Sequence, residues 1–230
     1  MTADGVDLRT AEEAGARIRP AGGPVIAELA ARVLAVPADH PVRVGIDGRT
    51  AAGKTTLADA LAGHLRRHGD RAVIRAELDY FMKMVEDRTA YPYDSPESYY
   101  LDAWDYPAIR RELLVPLGPG GDRRCRANPR DEPGTAAGDS ILLADGVFLQ
   151  RPELDEHWDL RIYLDIGLAE SLRRGVDRDR HWMGGVAEAE RRYRTKYLPG
   201  EQRYLAEVRP RDRAQIVVDM ADPARPRLVR

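Results

Sequence analysis

The run from Gly48 to Thr55 places two glycines, a lysine and a threonine at the spacing of a phosphate-binding loop. It fits the pattern G-x-x-x-x-G-K-[ST] at every fixed position. Glycines let the backbone curl so that successive N–H groups point at phosphate oxygens, and a following helix adds its positive end. Lys54 is predicted to reach the β and γ phosphates of a nucleoside triphosphate, and Thr55 to ligate Mg²⁺. The predicted nucleotide contacts are Gly48, Arg49, Thr50, Ala51, Ala52, Gly53, Lys54, Thr55 and Thr56.

The segments on either side of this loop have the composition that a phosphate loop requires. Residues 42–47 (VRVGID) are short and rich in β-branched side chains, which is typical of a buried strand, and residues 55–62 (TTLADALA) favour a helix. Strand, glycine loop and helix therefore follow one another in the order that binds phosphate. A glycine-rich turn that matches by chance is the alternative, and the flanking elements weigh against it.

Two aspartates that follow predicted strands are candidates for chemistry beside the phosphates. Asp145 lies in the apolar run 141–147 and is followed by glycine, a position suited to holding Mg²⁺ or its water; a strand-end turn residue is the alternative. Asp79 follows the strand predicted at 71–76, at the strand end where open α/β sheets gather ligands. It is the candidate general base for an acceptor hydroxyl, with a helix cap or turn residue as the alternative.

A dense group of cations lies in the helical region predicted at 168–204: Arg173, Arg174, Arg178 and Arg180. Their mutual repulsion disfavours a packed core and favours ordering around phosphate, which predicts a closing, arginine-rich lid at about residues 175–190. A solvated helix face paired with nearby acids is the alternative. Breaks in this region are predicted near 182–185 and at 199–200, and Gly184 with Gly185 is a candidate hinge or a plain helix break.

Aromatic residues cluster between the two aspartates, where they can contact an acceptor molecule. The cluster can stack on a ring of the acceptor while Asp94 accepts hydrogen bonds from sugar hydroxyls. Packing of a helix on the sheet is the alternative role. The aromatic residues concerned are Tyr91, Tyr93, Tyr99, Tyr100 and Trp104.

Composition excludes several classes of protein. Lysine and arginine number 36 against 38 aspartates and glutamates, a formal net charge of −2, which argues against a general nucleic-acid binder. The single cysteine, Cys125, excludes an internal disulfide and a cysteine-based metal cluster, and favours a reducing cytoplasm. No apolar run approaches the roughly 20 residues that span a bilayer, so we expect no membrane partner. Homo-oligomerisation stays open.

The alternation of strands and helices predicts the fold class. Strands are predicted at 42–47, 71–76, 141–147, 161–165 and 215–219, and helical segments include 24–34. This order implies an α/β fold whose parallel sheet is covered by helices on both faces. We expect one domain over residues 21–230, a loop with a small hairpin at 116–139, and a mobile arm or frayed helix at 1–20.

The order of these motifs resembles the uridine kinase-like family of P-loop kinases, in the group that includes phosphoribulokinase and bacterial pantothenate kinases. The resemblance extends from about residue 40 to 220. The loop alone is shared by many nucleotide-binding proteins, but the ordered set is far more specific. Besides the loop, it rests on the runs 79–81 (DYF), 93–99 (YDSPESY), 145–149 (DGVFL) and 173–180 (RRGVDRDR).

The resemblance implies a nucleoside-monophosphate-kinase-like P-loop fold with ATP and Mg²⁺ as cofactors and a small hydroxylated molecule as acceptor. It implies Asp79 as catalytic base acting with Lys54 and Arg178, and Asp145 near the metal in the place usually held by glutamate. It also implies that lid arginines contact phosphates: Arg178 and Arg180, together with Arg173 or Arg174. Of these we assign Arg174 and Arg180 to the nucleotide. The implied acceptor site comprises Asp79, Tyr80, Tyr93, Asp94, Tyr99 and Arg180.

One departure from the family pattern concerns the acceptor. Uridine kinases read the pyrimidine with a tyrosine and a histidine in a hairpin, whereas the corresponding stretch here, 122–130 (DRRCRANPR), has neither. Removing specific donors and acceptors removes the selectivity they supply. Uridine or cytidine is the first acceptor to test, and another acceptor, including an anionic one beside Arg123, Arg124 and Arg126, is the alternative. A nucleotide-binding module without phosphotransfer is a further alternative.

Overall fold

The computed structural model describes residues 23–230, so the arm predicted at 1–20 lies outside the described residues. The described chain is built on a six-stranded sheet. Its strands are β1 (Val42–Gly48), β2 (Val73–Glu77), β5 (Ile141–Asp145), β6 (Leu160–Asp165), β7 (Ile216–Asp219) and β8 (Arg227–Leu228). They lie in the order β2-β5-β1-β6-β7-β8, with all neighbours parallel except the β7–β8 pair. The predicted parallel sheet is confirmed.

Helices cover both faces of this sheet because its central strands bury side chains on both sides. On one face, Ile141 and Leu143 pack with α1 (Gly23–Leu34) and α2 (Lys54–His68). On the other, Leu142 and Ala144 pack with residues of α3 (Pro96–Leu101), α4 (Tyr106–Ile109) and α8 (Leu198–Val208). Alternate side chains of strand β5 thus belong to two different apolar cores, as expected of a parallel sheet covered on both faces.

Strand β1 lies at the centre of the sheet and is buried along its whole length. It pairs with β5 on one side and β6 on the other, while β2 lies beyond β5. The chain therefore leaves β1 where the strand order changes direction, which is where open α/β sheets bind ligands. Residues that follow β1, β2 and β5 meet at this edge.

The predicted lid region consists of helices separated by a glycine turn. Helix α6 (Leu168–Asp179) is followed by Gly184 and Gly185, with φ of 88° and 111°, and then by α7 (Val186–Arg192). The break predicted near 182–185 is therefore present. The break predicted at 199–200 is wrong: a π-helical segment, Tyr193–Tyr197, runs directly into α8. Pro199 therefore lies in a continuous helical stretch, just after a π-helical turn in which i→i−5 hydrogen bonds replace the regular pattern that proline would interrupt.

Several short elements complete the described fold. A short hairpin joins β3 (Arg124–Cys125) to β4 (Gly134–Thr135), so the small hairpin predicted within 116–139 is present. The turn α4 continues into a π-helical segment, Arg110–Leu114. A four-residue helix, α5 (Pro152–Asp155), precedes β6, and α9 (Pro210–Arg213) precedes β7.

Candidate nucleotide and acceptor site

The loop between β1 and α2 has the backbone shape that a phosphate cradle needs. Ala51 and Gly53 have positive φ, of 60° and 89°, which turns the chain so that α2 begins at Lys54. A Cβ on Gly48 would lie 2.7 Å from the carbonyl oxygen of Leu164, so only glycine fits there. The Lys54 Nζ donates to the carbonyls of Gly48 at 3.1 Å and Arg49 at 2.9 Å, which holds the ammonium across the loop.

Thr50, at the front of this loop, is held by three helices. Its N–H donates to Glu201 of α8 at 2.7 Å, and its carbonyl accepts from Ser171 of α6 at 2.8 Å. Its hydroxyl lies 3.1 Å from the hydroxyl of Tyr99 in α3. Glu201 is 2% exposed, and its carboxylate also lies 3.6 Å from the Arg49 guanidinium. The loop is thereby fixed to the elements that surround it.

Asp145 connects the end of β5 to the start of α2. Its Oδ2 accepts from the Thr55 hydroxyl at 2.7 Å, and its Oδ1 accepts from the Arg75 guanidinium at 2.8 Å. Arg75 lies on the neighbouring strand β2 and also donates to the Leu143 carbonyl at 2.8 Å. Because both carboxylate oxygens have partners, the orientation of the Asp145 side chain is fixed.

The Thr55–Asp145 pair fits a magnesium ion by the chemistry of its donors. Mg²⁺ prefers hard oxygen ligands, and in phosphotransfer sites it takes one or two from the protein and the rest from phosphates and water. A hydroxyl and a carboxylate in direct contact meet that requirement. Within residues 23–230 no group of three or more His, Cys, Asp and Glu side chains is arranged to hold a metal without such help.

Asp79 lies immediately after β2, in a short 3-10 helix, Leu78–Phe81. Desolvation raises the pKa of its carboxyl, and the charge of Asp145 raises it further, while Lys54 and Arg178 lower it. The side chain nevertheless meets solvent at the sheet edge. A carboxyl with a raised pKa, beside cations and open to solvent, suits proton transfer.

Trp104 provides an N–H beside Asp79. Its ring is 4% exposed, and its Nε1 has no hydrogen-bond partner within 3.5 Å among the described residues. It is still close enough to Asp79 to lower the pKa of that carboxyl. A backbone bridge pairs Met82, at the end of the 3-10 helix, with Trp104, which fixes the ring against the Asp79 segment.

Glu77 adds a further carboxyl next to Asp145, its register partner on the adjacent strand. Burial raises the pKa of Glu77 to about 7, with the charge of Asp145 adding to the effect and Arg75 opposing it. This edge of the sheet therefore concentrates negative charge, since Glu77, Asp79 and Asp145 follow two adjacent strands. A cationic ligand there would be stabilised.

The lid arginines have different surroundings. Arg178 donates to Asp179 at 2.6 Å and is close enough to Asp79 for the two charges to interact. Arg174 donates to Glu170 and to the carbonyls of Met220 and Ala221 at 3.0 and 2.9 Å, beyond the end of β7.

The other two arginines lie on the surface. Arg180 is exposed and pairs with Asp177 at 3.4 Å, and Arg173 pairs with Glu170. These contacts match the alternative of a solvated helix face for Arg173 and Arg180. Arg178 alone of the four is brought near the predicted base.

The predicted acceptor residues occupy a strip between α3 and the lid. Asp94 is exposed and lies 3.6 Å from Arg191 of α7. Tyr93 contacts the ammonium of Lys196 in the π-helical segment, and Tyr80 is 46% exposed beside Asp79. Tyr99 is 7% exposed and packs on Tyr197 at 4.8 Å, so its ring is part of the core and only its hydroxyl reaches the loop.

The β3–β4 hairpin and the residues that flank it carry three arginines. Arg123 and Arg124 are exposed, and Arg126 lies 3.6 Å from Glu112. Arg123 has a φ of 64°, a left-handed conformation that the turn imposes. Cys125, between them, is buried and faces the apolar core of α3, α4 and α8.

Three residues of this site were not predicted from the sequence. Glu201 and Asp47 are buried acids beside the loop, and Asp47 accepts from Gly48 N at 2.8 Å, from Gln150 and from the Tyr204 hydroxyl. Neither follows a recognisable pattern. Arg75 does have a signal, because it stands two residues before Glu77 on a strand and so shares its face.

Comparison with proteins of known description finds uridine kinases among the proteins similar in sequence. No family model matches the chain. It is 29% identical over 152 residues to "Uridine-cytidine kinase B" of Dictyostelium discoideum, covering 61% of this chain and 59% of that protein. It is 26% identical over 151 residues to the "Uridine kinase" of Lactobacillus helveticus, covering 61% and 69%. The match thus spans about 60% of the Dictyostelium protein's length.

Solved structures share the fold. A possible uridine kinase from Bacillus stearothermophilus has a TM-score of 0.63 at 22% identity, covering 84% of this chain and 96% of that one. The D-glycerate 3-kinase of Cryptococcus neoformans has a TM-score of 0.59 at 14% identity, covering 90% and 100%. The sheet and its phosphate loop define a P-loop kinase fold.

Within that class, both sequence relatives carry uridine kinase names. The chain is similar to these uridine kinases, in agreement with the resemblance seen in its motif order. Among the described residues, no helix combines the length and apolar character needed to cross a membrane.

Proposed function

We propose that this protein is an ATP- and Mg²⁺-dependent kinase that transfers the γ-phosphate to a hydroxyl of a small molecule. The observation that carries the proposal is the convergence of Lys54, Thr55, Asp145 and Asp79 at one edge of the sheet, after β1, β2 and β5. Phosphoryl transfer needs a phosphate cradle, a metal, cations around the moving group and an acceptor held in line. Each requirement has a residue at this edge.

In the proposed reaction, the loop amides and Lys54 hold the β and γ phosphates. Thr55 and Asp145 would hold Mg²⁺, which neutralises charge that develops on the phosphate oxygens. Asp79 orients the acceptor hydroxyl and accepts its proton as the new P–O bond forms. Arg178, already within the field of Asp79, is placed to stabilise the transferring group.

Closure of the lid is part of the proposal. Gly184 and Gly185 have positive φ, and a Cβ added to either would meet no atom within 4 Å, so the turn between α6 and α7 has room to move. Rotation there would change how α7 lies against the end of α6, which carries Arg178 and Arg180. Lids of this kind exclude water from the reaction.

For the acceptor, the uridine kinase relatives make uridine and cytidine the first molecules to test. A second candidate is an acceptor other than a nucleoside, such as pantothenate or a sugar phosphate. It is favoured by the β3–β4 hairpin, because Arg123 and Arg124 lie in the stretch that corresponds to the family's base-reading hairpin, and this stretch has neither a tyrosine nor a histidine.

The test is Mg²⁺-dependent ADP release with a panel of nucleosides, pantothenate and sugar phosphates. Asp79→Asn should lower acceptor turnover by about 10²- to 10⁴-fold, the usual contribution of a general base, and leave ATP binding in place. Asp87→Asn, an exposed aspartate eight residues away, is the matched control. Unchanged turnover in Asp79→Asn rejects the assigned base, and ATP binding without any phosphorylated acceptor favours the non-catalytic module.

A further inference from the structure

Two cations near the acceptor strip have no carboxylate partner. Lys196 and Arg88 form no ion pair with any acid in the described part of the chain. Lys196 is 3% exposed, and its ammonium donates to the Tyr93 carbonyl and lies 3.6 Å from the centre of the Tyr93 ring. An ammonium has three N–H donors, so two have no protein acceptor. Burying a charge without a partner is costly, and proteins seldom keep one without a use.

Arg88 lies close enough to Lys196 for their charges to interact. Its Nε and Nη2 donate to the Lys83 carbonyl at 2.9 and 2.7 Å, which leaves Nη1 without a hydrogen bond among the described residues. The charges of Arg88 and Arg192 disfavour protonation of Lys196, and Asp94 favours it. Burial is the largest influence and lowers the pKa of Lys196 to about 8.

The local balance of charge is positive. Arg191 and Arg192 lie beside Asp94, and both donate to Glu188 at 2.7 Å. With Lys196 and Arg88, four cations lie near the two carboxylates of Asp94 and Glu188. Asp102, which also feels the charge of Arg88, is paired with Lys83, so positive charge is in excess by two.

Several contacts relate the two cations to segments of the predicted site. Lys83, which anchors Arg88, is four residues after Asp79, and Tyr93, which anchors Lys196, directly precedes Asp94. The charges of both Arg88 and Arg192 reach Tyr197, whose ring packs on Tyr99 at 4.8 Å. Tyr99 in turn touches Thr50 of the phosphate loop. These contacts connect both cations with the segments that carry Asp79, Asp94 and the phosphate loop.

We infer that the acceptor is an anionic alcohol, whose carboxylate or phosphate group binds between Lys196 and Arg88 while its hydroxyl faces Asp79. Hydrogen bonds between charged partners are about twice as strong as neutral ones, so an anion would satisfy both cations where a neutral sugar would not. This inference rests on the proposed kinase function and narrows its substrate class.

The experiment compares acceptors of one carbon skeleton with and without an anionic group: glycerol, glycerate and glycerol phosphate, then ribose and ribose 5-phosphate, with uridine as the neutral nucleoside. With Mg²⁺ and ATP, we expect kcat/KM to be at least tenfold higher for an anionic member of a series than for its neutral member. Comparison of the carboxylate-bearing with the phosphate-bearing acceptors shows which anionic group the site binds.

Substitutions at Arg88 and Lys196 test whether these two residues cause the preference for anionic acceptors. Arg88→Gln and Lys196→Met should each raise KM for the anionic acceptor about tenfold and leave KM for ATP unchanged. The difference in kcat/KM between charged and neutral acceptors should become smaller in both variants. Arg194→Gln, on the same π-helical segment and paired with Glu190, is the control and should change neither. If Lys196→Met does not fold, Arg88→Gln, at a position that is only half-buried, carries the test.

Failure of the inference differs from failure of the proposed function. Phosphorylation of uridine with no preference for anions overturns the inference and leaves the kinase in place. If no acceptor releases ADP, the kinase proposal fails, and calorimetric titration of glycerate and ribose 5-phosphate still decides the anion site. The inferred anion site is overturned if the wild type shows no saturable binding of these anions, or if Arg88→Gln does not weaken that binding.

Discussion

The hydroxyl of Thr55 donates a 2.7 Å hydrogen bond to Oδ2 of Asp145, which joins the first turn of α2 to the end of β5. The two residues are 90 positions apart in the chain. Arg75 holds the other oxygen of the same carboxylate at 2.8 Å. The proposed metal donors are therefore in place before any ligand arrives.

Removing the Asp145 charge should weaken Mg²⁺ activation. We expect Asp145→Asn to require about 10- to 100-fold more Mg²⁺ for half-maximal ADP release, since changes around a metal site have effects of that size. A Mg²⁺ titration of activity measures it. Asp139→Asn, just before β5 and exposed, is the control, and equal Mg²⁺ requirements in the two variants would contradict the assignment.

Glu77 should make stability depend on pH. Its pKa is raised to about 7 in the folded protein from an ordinary value of 4.5, so the folded state favours the protonated form. The stabilisation is complete below about pH 4.5 and is lost as pH rises through 7. Glu77→Gln should therefore be more stable than the wild type at pH 8 and similar to it at pH 5.

The expected gain at pH 8 is about 1 to 2 kcal/mol, after discounting the shift for the half-exposed position of the side chain. Urea unfolding at the two pH values measures it. Glu86→Gln, an exposed glutamate, serves as the control. A gain from Glu77→Gln that is equal at pH 5 and pH 8 would show that charge is not its cause.

Gly175 in α6 should tolerate no side chain. A Cβ at this position would lie 2.2 Å from the ring of Tyr193, which is fully buried and donates to Asp179 at 2.7 Å. Gly175→Ala must displace that ring, and we expect a loss of about 1 to 3 kcal/mol.

Gly167→Ala is the matched control, because Gly167 has a φ of −66° at the start of the same helix and no atom within 4 Å of an added Cβ. Thermal unfolding compares the two. Equal melting temperatures would mean that the packing of α6 against Tyr193 is looser than described.

Glu201 places a negative charge beside the loop that is proposed to bind phosphates. Glu201→Gln keeps an oxygen for the Thr50 N–H and removes the charge, so we expect ATP to bind more tightly by about 1 kcal/mol, or roughly fivefold. Calorimetric titration with ATP measures it. Glu207→Gln, one and a half turns further along α8, should bind ATP like the wild type. Weaker binding by Glu201→Gln would mean that the carboxylate itself shapes the loop.

Local patterns in the sequence predicted most of the elements of the sheet. The strand predicted at 42–47 is observed at Val42–Gly48, and that at 161–165 at Leu160–Asp165. The helix predicted over 55–62 runs on to His68. These succeed because apolar run length and glycine position report local backbone preference. Sheet order does not follow from such patterns, so β5 between β2 and β1 was not predictable.

The candidate site could be predicted only where its residues sit in motifs. The loop from Gly48 to Thr55 and the acids Asp79 and Asp145 follow strands, and parallel strands bring their ends to one edge. Glu201 and Arg88 reach the site through tertiary packing, which one sequence does not encode locally. The density of arginines in the sequence likewise did not show which of them lies near the predicted base. Arg178 is close enough to Asp79 for their charges to interact, whereas Arg180 pairs with Asp177.

The threefold attachment of Thr50 has a kinetic consequence. Tyr99, Ser171 and Glu201 each tie a different helix to the loop front, and the helix of Tyr99 directly follows Asp94. A triphosphate that reshapes the loop must therefore adjust the acceptor strip as well. For the proposed kinase we therefore expect nucleotide to bind first and the alcohol second, so that the second molecule meets a surface that the first has already set.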